Sequence, residues 1–514
     1  MATPVGNGAP GAVVPARPSG PPGTAPAVPG VRGVPASRPG AVPARRPSAG
    51  PAPRGLSGLR ARLANATRTA PGRLRLAGAV LAVLTVAFGA LTAWQLETKA
   101  EAANRVVQHS QPLSKDAADI HRLLARADTT AATGFLLAGA ETKAVRGDYE
   151  GDLAAATDLI TKAAAQTTVD SPAYQKLTEL NKQLPVYAGL VETARANNRL
   201  GLPLGGAYLR YASEQMQGTL LPRAAELTAI ENDELDKDYA EAKSSPWAAY
   251  GLGVLTLGAL VWVQLTLFRR TNRVFNPGLL GATAAVLAGA LWLAVTGLTT
   301  NAALQQSWKQ GAQPLRALNT ARVQVLSARL AENLNLVARG STTAYADQWT
   351  TITQQLAGGE PANVPMEQHS GSLRQALDLA PADARQQIGE ADRQYETWRT
   401  RHDAAHTLET QQADYQGALQ ATVTADPAAE ANTADGAFKA TDRALDQAAT
   451  TEQDHFERSA KGTEGDLRLA ALAAALLGVG GGGARGGGGR GPAGGARGGG
   501  GWGAPAAAKG GAPR

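Results

Sequence analysis

The sequence contains no cysteine among its 514 residues. Disulfide bonds, thiolate metal sites and cysteine nucleophiles are therefore excluded, and an extracytoplasmic domain of this chain must be held together by packing alone. Aromatic residues make up only 5% of the chain, and most of its apolar content is alanine and leucine. This composition favours helices that pack closely against one another.

The common catalytic motifs are also missing. The sequence has no Walker A loop, no Gly-x-Ser-x-Gly elbow and no dinucleotide-binding fingerprint that follows a strand. The histidine pair at helical spacing, His402 and His406, has Asp403 at the position where a zinc protease needs glutamate, so we interpret both histidines as solvated. We expect neither an enzyme nor a cofactor or metal site.

Acidic residues are absent from large parts of the chain. All 43 of them lie between Glu97 and Glu241 or between Glu332 and Asp466, and the remaining charged residues outside these blocks are basic. A soluble nucleic-acid-binding protein is not expected to separate its charges in this way. The pattern is typical of a chain that is threaded through a membrane with its basic parts in the cytoplasm. We therefore expect the lipid bilayer, and not nucleic acid, as a partner.

Three uncharged apolar runs are long enough to cross roughly 30 Å of hydrocarbon. They cover residues 76–96, 248–268 and 279–299. The turn at 269–278 contains Arg269, Arg270 and Arg273, and the positive-inside rule predicts that it is cytoplasmic, where it contacts lipid or a partner. The same rule predicts a cytoplasmic amino terminus and places residues 97–246 (the first segment) and 301–467 (the second segment) outside the cell.

The two ends of the chain differ from its middle. Residues 1–53 are rich in proline, glycine and alanine and are predicted to be disordered. Residues 54–75 form a basic juxtamembrane segment, interpreted either as a short helix on anionic lipid or as a solvated linker. A partial fourth span at 469–484 ends in a Gly/Arg-rich tail at 485–514. We hypothesise that the reading frame shifts near Gly478, which the other frames of the coding DNA would test.

Both segments show the apolar spacing of helices, and neither alternates for long in the manner of a strand. Breaks in the first segment predict four helices, with kinks at Pro112 and Pro222. Gln-Pro-Leu occurs at 111–113 and again at 313–315. We therefore predict an all-α integral membrane protein with three or four transmembrane helices and two extracytoplasmic four-helix-bundle domains in a duplicated unit.

A pair of charged residues follows each Gln-Pro-Leu motif at a similar distance. Arg329 and Glu332 can share a helix face, whereas Arg126 and Asp128 are two positions apart and cannot. One interpretation is structural ion pairing or solvation. The other is contact with a ligand or partner, since charges of both signs suit the two charged groups of an amino acid.

Three stretches carry a resemblance to a known family. They are ARADTTAATGFLLAGAET (125–142), RRTNRVFNPGLLGA (269–282) and SARLAENLNLVARGS (327–341). They resemble a family of actinobacterial four-span membrane proteins that is linked to a glutamine/glutamate-binding lipoprotein outside the cell and to protein kinase G inside it. The resemblance implies an amino-acid-sensing relay, in which the lipoprotein docks on the ectodomains and the signal crosses to the kinase. A non-enzymatic envelope scaffold is the alternative, and the sequence leaves the ligand and the oligomeric state open.

Overall fold

The computed structural model describes residues 70–271, 277–358, 370–454 and 456–457. These residues are almost entirely helical, and no strand occurs among them, which confirms the predicted all-α class. The first helices are α1 (Ala70–Arg105), α2 (Gln111–Leu137), α3 (Lys143–Gln166), α4 (Pro172–Arg199), α5 (Leu204–Gln215), α6 (Leu221–Lys243) and α7 (Trp247–Thr271). The others are α8 (Pro277–Ser307), α9 (Gln313–Ala338), α10 (Ala344–Ala357), α11 (Ser372–Leu379), α12 (Ala382–Thr410), α13 (Tyr415–Thr422), α14 (Pro427–Glu430) and α15 (434–454).

Helices α1, α7 and α8 carry the three long apolar stretches. Their outward surface is apolar, as shown by the exposure of Val83, Trp262 and Leu298. Such a continuous apolar surface is unfavourable in water and favourable in lipid. The three helices therefore indicate a multi-pass membrane protein.

The apolar helices pack against one another through small residues and one polar side chain. Phe88 of α1 is buried in their common core, where it contacts Gly253 of α7 and Gly289 of α8. Gln264 of α7 donates a hydrogen bond to Oγ1 of Thr283 of α8 at 2.8 Å. Close backbone approach and interhelical hydrogen bonds are the contacts that hold helices together in lipid.

A five-residue π-turn precedes each of three prolines in the long helices. The π-turns cover Val106–Ser110, Met216–Leu220 and Trp308–Ala312, and the prolines are Pro112, Pro222 and Pro314. In each case the residue before the proline donates its N–H to the carbonyl five positions back. Proline has no N–H for the carbonyl four positions back, and its ring would clash with that carbonyl. The wider turn relieves this conflict, so the chain continues as helix through Pro112 and Pro222. Whether the helix axis bends there, as predicted, stays a prediction.

The second segment contains more helices than the sequence indicated. The short helices α11, α13 and α14 were not predicted. Two of them begin at side-chain caps: Asp414 accepts a hydrogen bond from the Gly417 N–H at 2.8 Å at the start of α13, and Asp426 accepts one from the Ala428 N–H at 3.0 Å at the start of α14. Helices of eight residues or fewer are too short for apolar periodicity to identify them in the sequence.

The two segments pack against each other along α2 and α9. Each segment has its own apolar core, and a further core combines residues of both. This shared core includes Leu136 of α2, Leu209 of α5, and Leu330 and Leu334 of α9. The segments are therefore joined by buried apolar surface, which is the main favourable contribution to such packing. Whether the second segment is a duplicate of the first stays a prediction.

Candidate functional site

The structure separates the two charged residues that follow the first Gln-Pro-Leu motif. Arg126 is about one-third exposed, and its Nε donates to a carboxylate oxygen of Asp152 on α3 at 3.0 Å. Asp128 is fully buried, and its Oδ1 accepts hydrogen bonds from the hydroxyls of Tyr187 at 3.1 Å and Ser213 at 3.0 Å. Arg126 and Asp128 contact different neighbouring helices, so they do not form a common binding site.

Burial dominates the electrostatics of Asp128. It raises the pKa of this carboxyl to about 7, although the hydrogen bonds from Ser213 and Tyr187 act in the opposite direction. The second carboxylate oxygen, Oδ2, is buried and has no hydrogen-bond partner. A charged carboxylate without a cationic neighbour is unfavourable in such a place, so burial favours the neutral form of Asp128.

The second pair lies at the centre of a buried ion network. The guanidinium of Arg329 is fully buried and donates to Glu332 at 2.5 Å and to Asp435 on α15 at 2.9 Å. Lys439 lies 2.9 Å from the other oxygen of Asp435. Lys439 also pairs with Glu430, so both cations of the network have carboxylate partners, as burial of charge requires.

Glu332 is the most heavily bonded member of this network. It also accepts a hydrogen bond from Nε1 of Trp398 at 2.9 Å and lies 3.0 Å from Nδ1 of His402. Burial alone would raise the pKa of Glu332, but the charge of Arg329 and these hydrogen bonds outweigh it and lower the pKa to about 2. Glu332 is therefore a structural anion at neutral pH.

The interpretation of His402 as a solvated side chain is wrong. Its ring stacks on Trp349 at a centroid distance of 3.7 Å, and its side chain is only 14% exposed. His406, one turn later, is exposed. His402 therefore borders the buried network. This position could be recognised only from the structure, because it depends on the contact between α10 and α12. No group of three or more histidine, aspartate or glutamate side chains in the described ranges is arranged to hold a metal ion.

The basic turn is described only at its beginning. Arg269 is exposed at the end of α7. The side chain of Arg270 and all of Arg273 lie outside the described residues. Their predicted contact with lipid or a cytoplasmic partner stays a prediction.

A cavity of about 670 Å³ lies between α2, α6, α9 and α15. Gln111 and Leu315, one from each Gln-Pro-Leu motif, both line it. Three of its four helices lead directly into apolar helices: α2 follows α1, α6 precedes α7, and α9 follows α8. The cavity therefore sits where the two segments and three candidate membrane helices meet. The sequence did not predict this cavity. The repeated Gln-Pro-Leu motif was the available signal, because each copy contributes a residue to the lining.

Arginine side chains from both segments line the cavity. Arg322 is buried and paired with Asp446 of α15, and Arg316 lies 2.6 Å from Asp236 of α6. Burial lowers the pKa of Arg322, and the nearby positive charge of Arg122 adds to this effect. Four nitrogen atoms of residues that line the cavity are buried away from it and make no hydrogen bond: Gln111 Nε2, Arg122 Nε, Arg316 Nε and Arg322 Nε.

Comparison with known proteins connects this region to sensing. Residues 102–240 match the family model of an actinobacterial sensor domain. The match covers α2–α6, including the first-segment walls of the cavity, and does not extend into the second segment. Neither the curated proteins nor the solved structures contain a match to this chain.

Proposed function

We propose that this protein is a membrane signalling relay that senses amino-acid status outside the cell and passes it to a cytoplasmic kinase. The observation that carries the sensing role is the match of residues 102–240 to an actinobacterial sensor domain. The amino-acid signal, the solute-binding lipoprotein that delivers it and the kinase come from the family resemblance of residues 125–142, 269–282 and 327–341.

Continuous helices supply a physical route for the signal. Helix α1 passes through a π-turn into α2, and α8 passes through the equivalent turn into α9. These helices pack on α6, which precedes the second apolar helix. A change in how the segments pack can therefore shift or tilt helices that continue into the membrane, a recognised form of switching.

The proposal includes the orientation and the internal repeat. The amino terminus and the turn at 269–278 are placed in the cytoplasm by their basic residues, and both segments are placed outside. The two Gln-Pro-Leu motifs, each following a π-turn, support a duplicated unit. Arg269, Arg270 and Arg273 are the proposed contacts for the cytoplasmic partner.

The absence of native cysteine allows a clean test of the relay. Spin labels on Leu74→Cys and Arg269→Cys would report the separation of α1 and α7 at their proposed cytoplasmic ends, because both positions are exposed. The full-length protein in lipid nanodiscs would be measured with glutamate, aspartate and glutamine, each with and without the cognate solute-binding protein. A relay predicts that the distance distribution changes when the signal is added.

Thermal unfolding of the same samples separates the possibilities. A ligand that binds the folded state raises the melting temperature by mass action. A rise with amino acid alone would make the segments direct sensors, and a rise only with the binding protein would support the relay. If neither the melting temperature nor the label distance responds, the scaffold interpretation replaces the sensor.

A further inference from the structure

We propose that the loop between α4 and α5, together with one face of α5, docks an acidic protein outside the cell. Residues 200–204 (the leucine loop) contain Leu200, Leu202 and Leu204. The inference deepens the proposed function, on which it rests for the orientation of the chain, by assigning the surface that receives the extracytoplasmic partner. The leucine loop lies within residues 102–240, which match the sensor-domain family model.

The leucine side chains of this loop are exposed although they are apolar. Leu200 is 74% exposed, Leu202 is 45% exposed and Leu204 is 59% exposed. Single exposed leucines are common on protein surfaces and need no explanation. Three within five residues concentrate apolar surface in one place, which is unfavourable in water and typical of an interaction site.

Backbone hydrogen bonds hold the leucine loop in its conformation. Gly201 has a φ of 68°, and its N–H donates to the Asn198 carbonyl at 2.9 Å. The Leu202 N–H donates to the Asn197 carbonyl at 2.9 Å. This is the Schellman ending of a helix, in which the residue at the position of Leu202 often packs on an apolar residue of the last turn, but Asn197 stands there. A preorganised loop of this kind loses little conformational entropy when it binds a partner.

The apolar surface continues along α5. Leu204, Tyr208 and Tyr211 are separated by four and three positions, so they share one face of this helix. Tyr211 is 58% exposed, and its ring meets the half-buried ring of Tyr208 edge to face at a centroid distance of 6.4 Å. Tyrosine is enriched at protein interfaces because it combines a large apolar ring with a polar hydroxyl. The leucine loop and this face of α5 together form the proposed docking surface.

Positive charge without an ion-pair partner flanks the docking surface. Residues 97–246 contain eight arginines, all in the described part of the chain, and six of them pair with carboxylates. The two that do not are Arg199, directly before the leucine loop, and Arg210 on α5. Glu214 follows Arg210 by one turn, but no ion pair joins these two described side chains. A partner with carboxylates around an apolar centre is therefore complementary to this surface.

The place of the leucine loop in the fold argues against two other occupants. Asn198 of α4 donates from Nδ2 to the Phe135 carbonyl of α2 at 2.8 Å, which fixes the loop beside the end of α2. Phe135 lies 30 positions beyond Arg105, the last residue of α1, which is roughly 45 Å along the helical path at about 1.5 Å per residue. The bilayer around α1 is therefore remote from the loop. A second copy of the chain that docked through the same surface would bring Arg199 and Arg210 of both copies together, and like charges repel.

Binding of the cognate solute-binding protein to the full-length protein in lipid nanodiscs tests the inference. Leu202→Ser removes apolar surface and keeps the backbone hydrogen bonds of the loop. It should weaken binding roughly tenfold or more, which is the effect of one leucine that becomes buried on docking. Val169→Ser is the matched control, because Val169 is 64% exposed and precedes α4, whereas the leucine loop follows α4. This control should bind as the parent protein does.

Charge reversal tests the electrostatic part of the inference. Arg199→Glu should weaken binding and reduce its dependence on salt concentration, since salt screens exposed charges. Lys182→Glu is the control, because it changes the net charge equally at an exposed position in the middle of α4. Equal effects of the two variants would show that net charge, and not the docking surface, controls binding, and the inference would be wrong.

Photo-cross-linking in living cells identifies the occupant directly. The full-length protein would carry p-benzoylphenylalanine in place of Leu202, with the same probe in place of Val169 as the control. The expected result is an adduct with an acidic extracytoplasmic protein at position 202 only, and that protein, once purified, should bind the parent protein and lose affinity for Leu202→Ser. Cross-links to lipid or to a second copy of the chain alone, or no adduct, would overturn the inference.

The outcomes separate this inference from the proposed function. If the solute-binding protein binds and neither Leu202→Ser nor Arg199→Glu weakens its binding, the relay stands and the docking surface falls. If both variants weaken binding but the spin-label distance does not change, the docking surface stands and the relay falls. If the solute-binding protein does not bind and the cross-linked protein binds through Leu202, the docking surface stands with a partner other than the one proposed for the relay.

Discussion

Asn333 of α9 donates a hydrogen bond from Nδ2 to Oγ1 of Thr133 of α2 at 2.9 Å, and both side chains are buried. The bond joins the two segments at the surface where their helices pack. Thr129 of α2 makes a second polar contact across the same surface, donating to the carbonyl of Leu326 at 3.0 Å. The junction between the segments is therefore defined by specific hydrogen bonds as well as by apolar contact.

The first prediction concerns this hydrogen bond. Asn333→Ala should lower the free energy of unfolding by about 1–3 kcal/mol, because the hydrogen bond is lost and the side chain leaves a void. A double-mutant cycle with Thr133→Val, measured by urea denaturation in detergent, should give a coupling energy of about 0.5 kcal/mol or more. Asn335→Ala is the control, since Asn335 bonds to Glu409 within the second segment. It should show no coupling to Thr133→Val.

The second prediction is a pH dependence caused by Asp128. Its folded-state pKa is raised from 3.8 to about 7, so the folded protein keeps a proton that the unfolded chain releases near pH 4. The stability of the parent protein should therefore fall as pH rises from about 4 to 7, by at most roughly 4 kcal/mol from this group. Asp128→Asn removes the titration and should flatten this part of the stability curve.

Denaturation midpoints between pH 4 and pH 8 would measure the effect of Asp128→Asn. The variant should be more stable than the parent at pH 8, and this difference should disappear near pH 4. Asp158→Asn is a suitable control, because Asp158 is exposed on α3 and meets water in both states. Parallel curves for Asp128→Asn and the parent protein would contradict the prediction.

The third prediction concerns the ion network of the second segment. Glu332→Gln removes one of the two carboxylates that bond the buried guanidinium of Arg329 and leaves Asp435. The substitution should cost about 3–5 kcal/mol of stability at pH 7. Glu390→Gln is the matched control, because Glu390 pairs with Arg393 on an exposed helix face. Its loss should change stability by roughly 1 kcal/mol or less.

The same carboxylate predicts acid sensitivity. The pKa of Glu332 is lowered from 4.5 to about 2, so its contribution is complete above the unfolded-state value and is lost as pH falls from about 4.5 to 2. Circular dichroism during an acid titration should show that the parent protein loses stability in this window. Glu332→Gln should lack that component of the acid transition. If the variant and the parent protein show the same acid transition, Glu332 is not the group responsible.

The fourth prediction compares glycines in two π-turns. A Cβ at Gly311 would lie 2.7 Å from Cδ2 and 3.1 Å from Cβ of Phe456, whereas a Cβ at Gly218 would meet nothing within 4 Å. Gly311→Ala should therefore displace Phe456 and destabilise the protein by about 1–3 kcal/mol. Gly218→Ala should be neutral or stabilise it by up to about 1 kcal/mol. If Gly311→Ala and Gly218→Ala shift the melting temperature in the same direction, the contact with Phe456 does not determine the effect of Gly311→Ala and the prediction is wrong.

Much of the architecture could be predicted because its signals are local. An uncharged apolar run and a three-and-four-residue apolar spacing each depend on neighbouring residues only, so the all-α class and the three apolar helices followed from the sequence. The prolines were visible as well. The π-turn that accommodates each proline was not predicted, because the sequence around Pro112 does not show how the helix adjusts to the missing N–H.

The candidate site depended on contacts between residues far apart in the chain. Arg329 could be paired with Glu332 because three helical positions separate them, but its second partner, Asp435, lies on another helix. His402 was misassigned because Trp349, on which it stacks, belongs to a different helix. The cavity is likewise formed by four helices from both segments. The sequence by itself determined the all-α class and which of the long helices are apolar, because the 3.6-residue period and the run length are properties of short stretches. Only the tertiary structure decided which charges are buried and where helices of the two segments border a common cavity, because burial depends on the packing of distant helices.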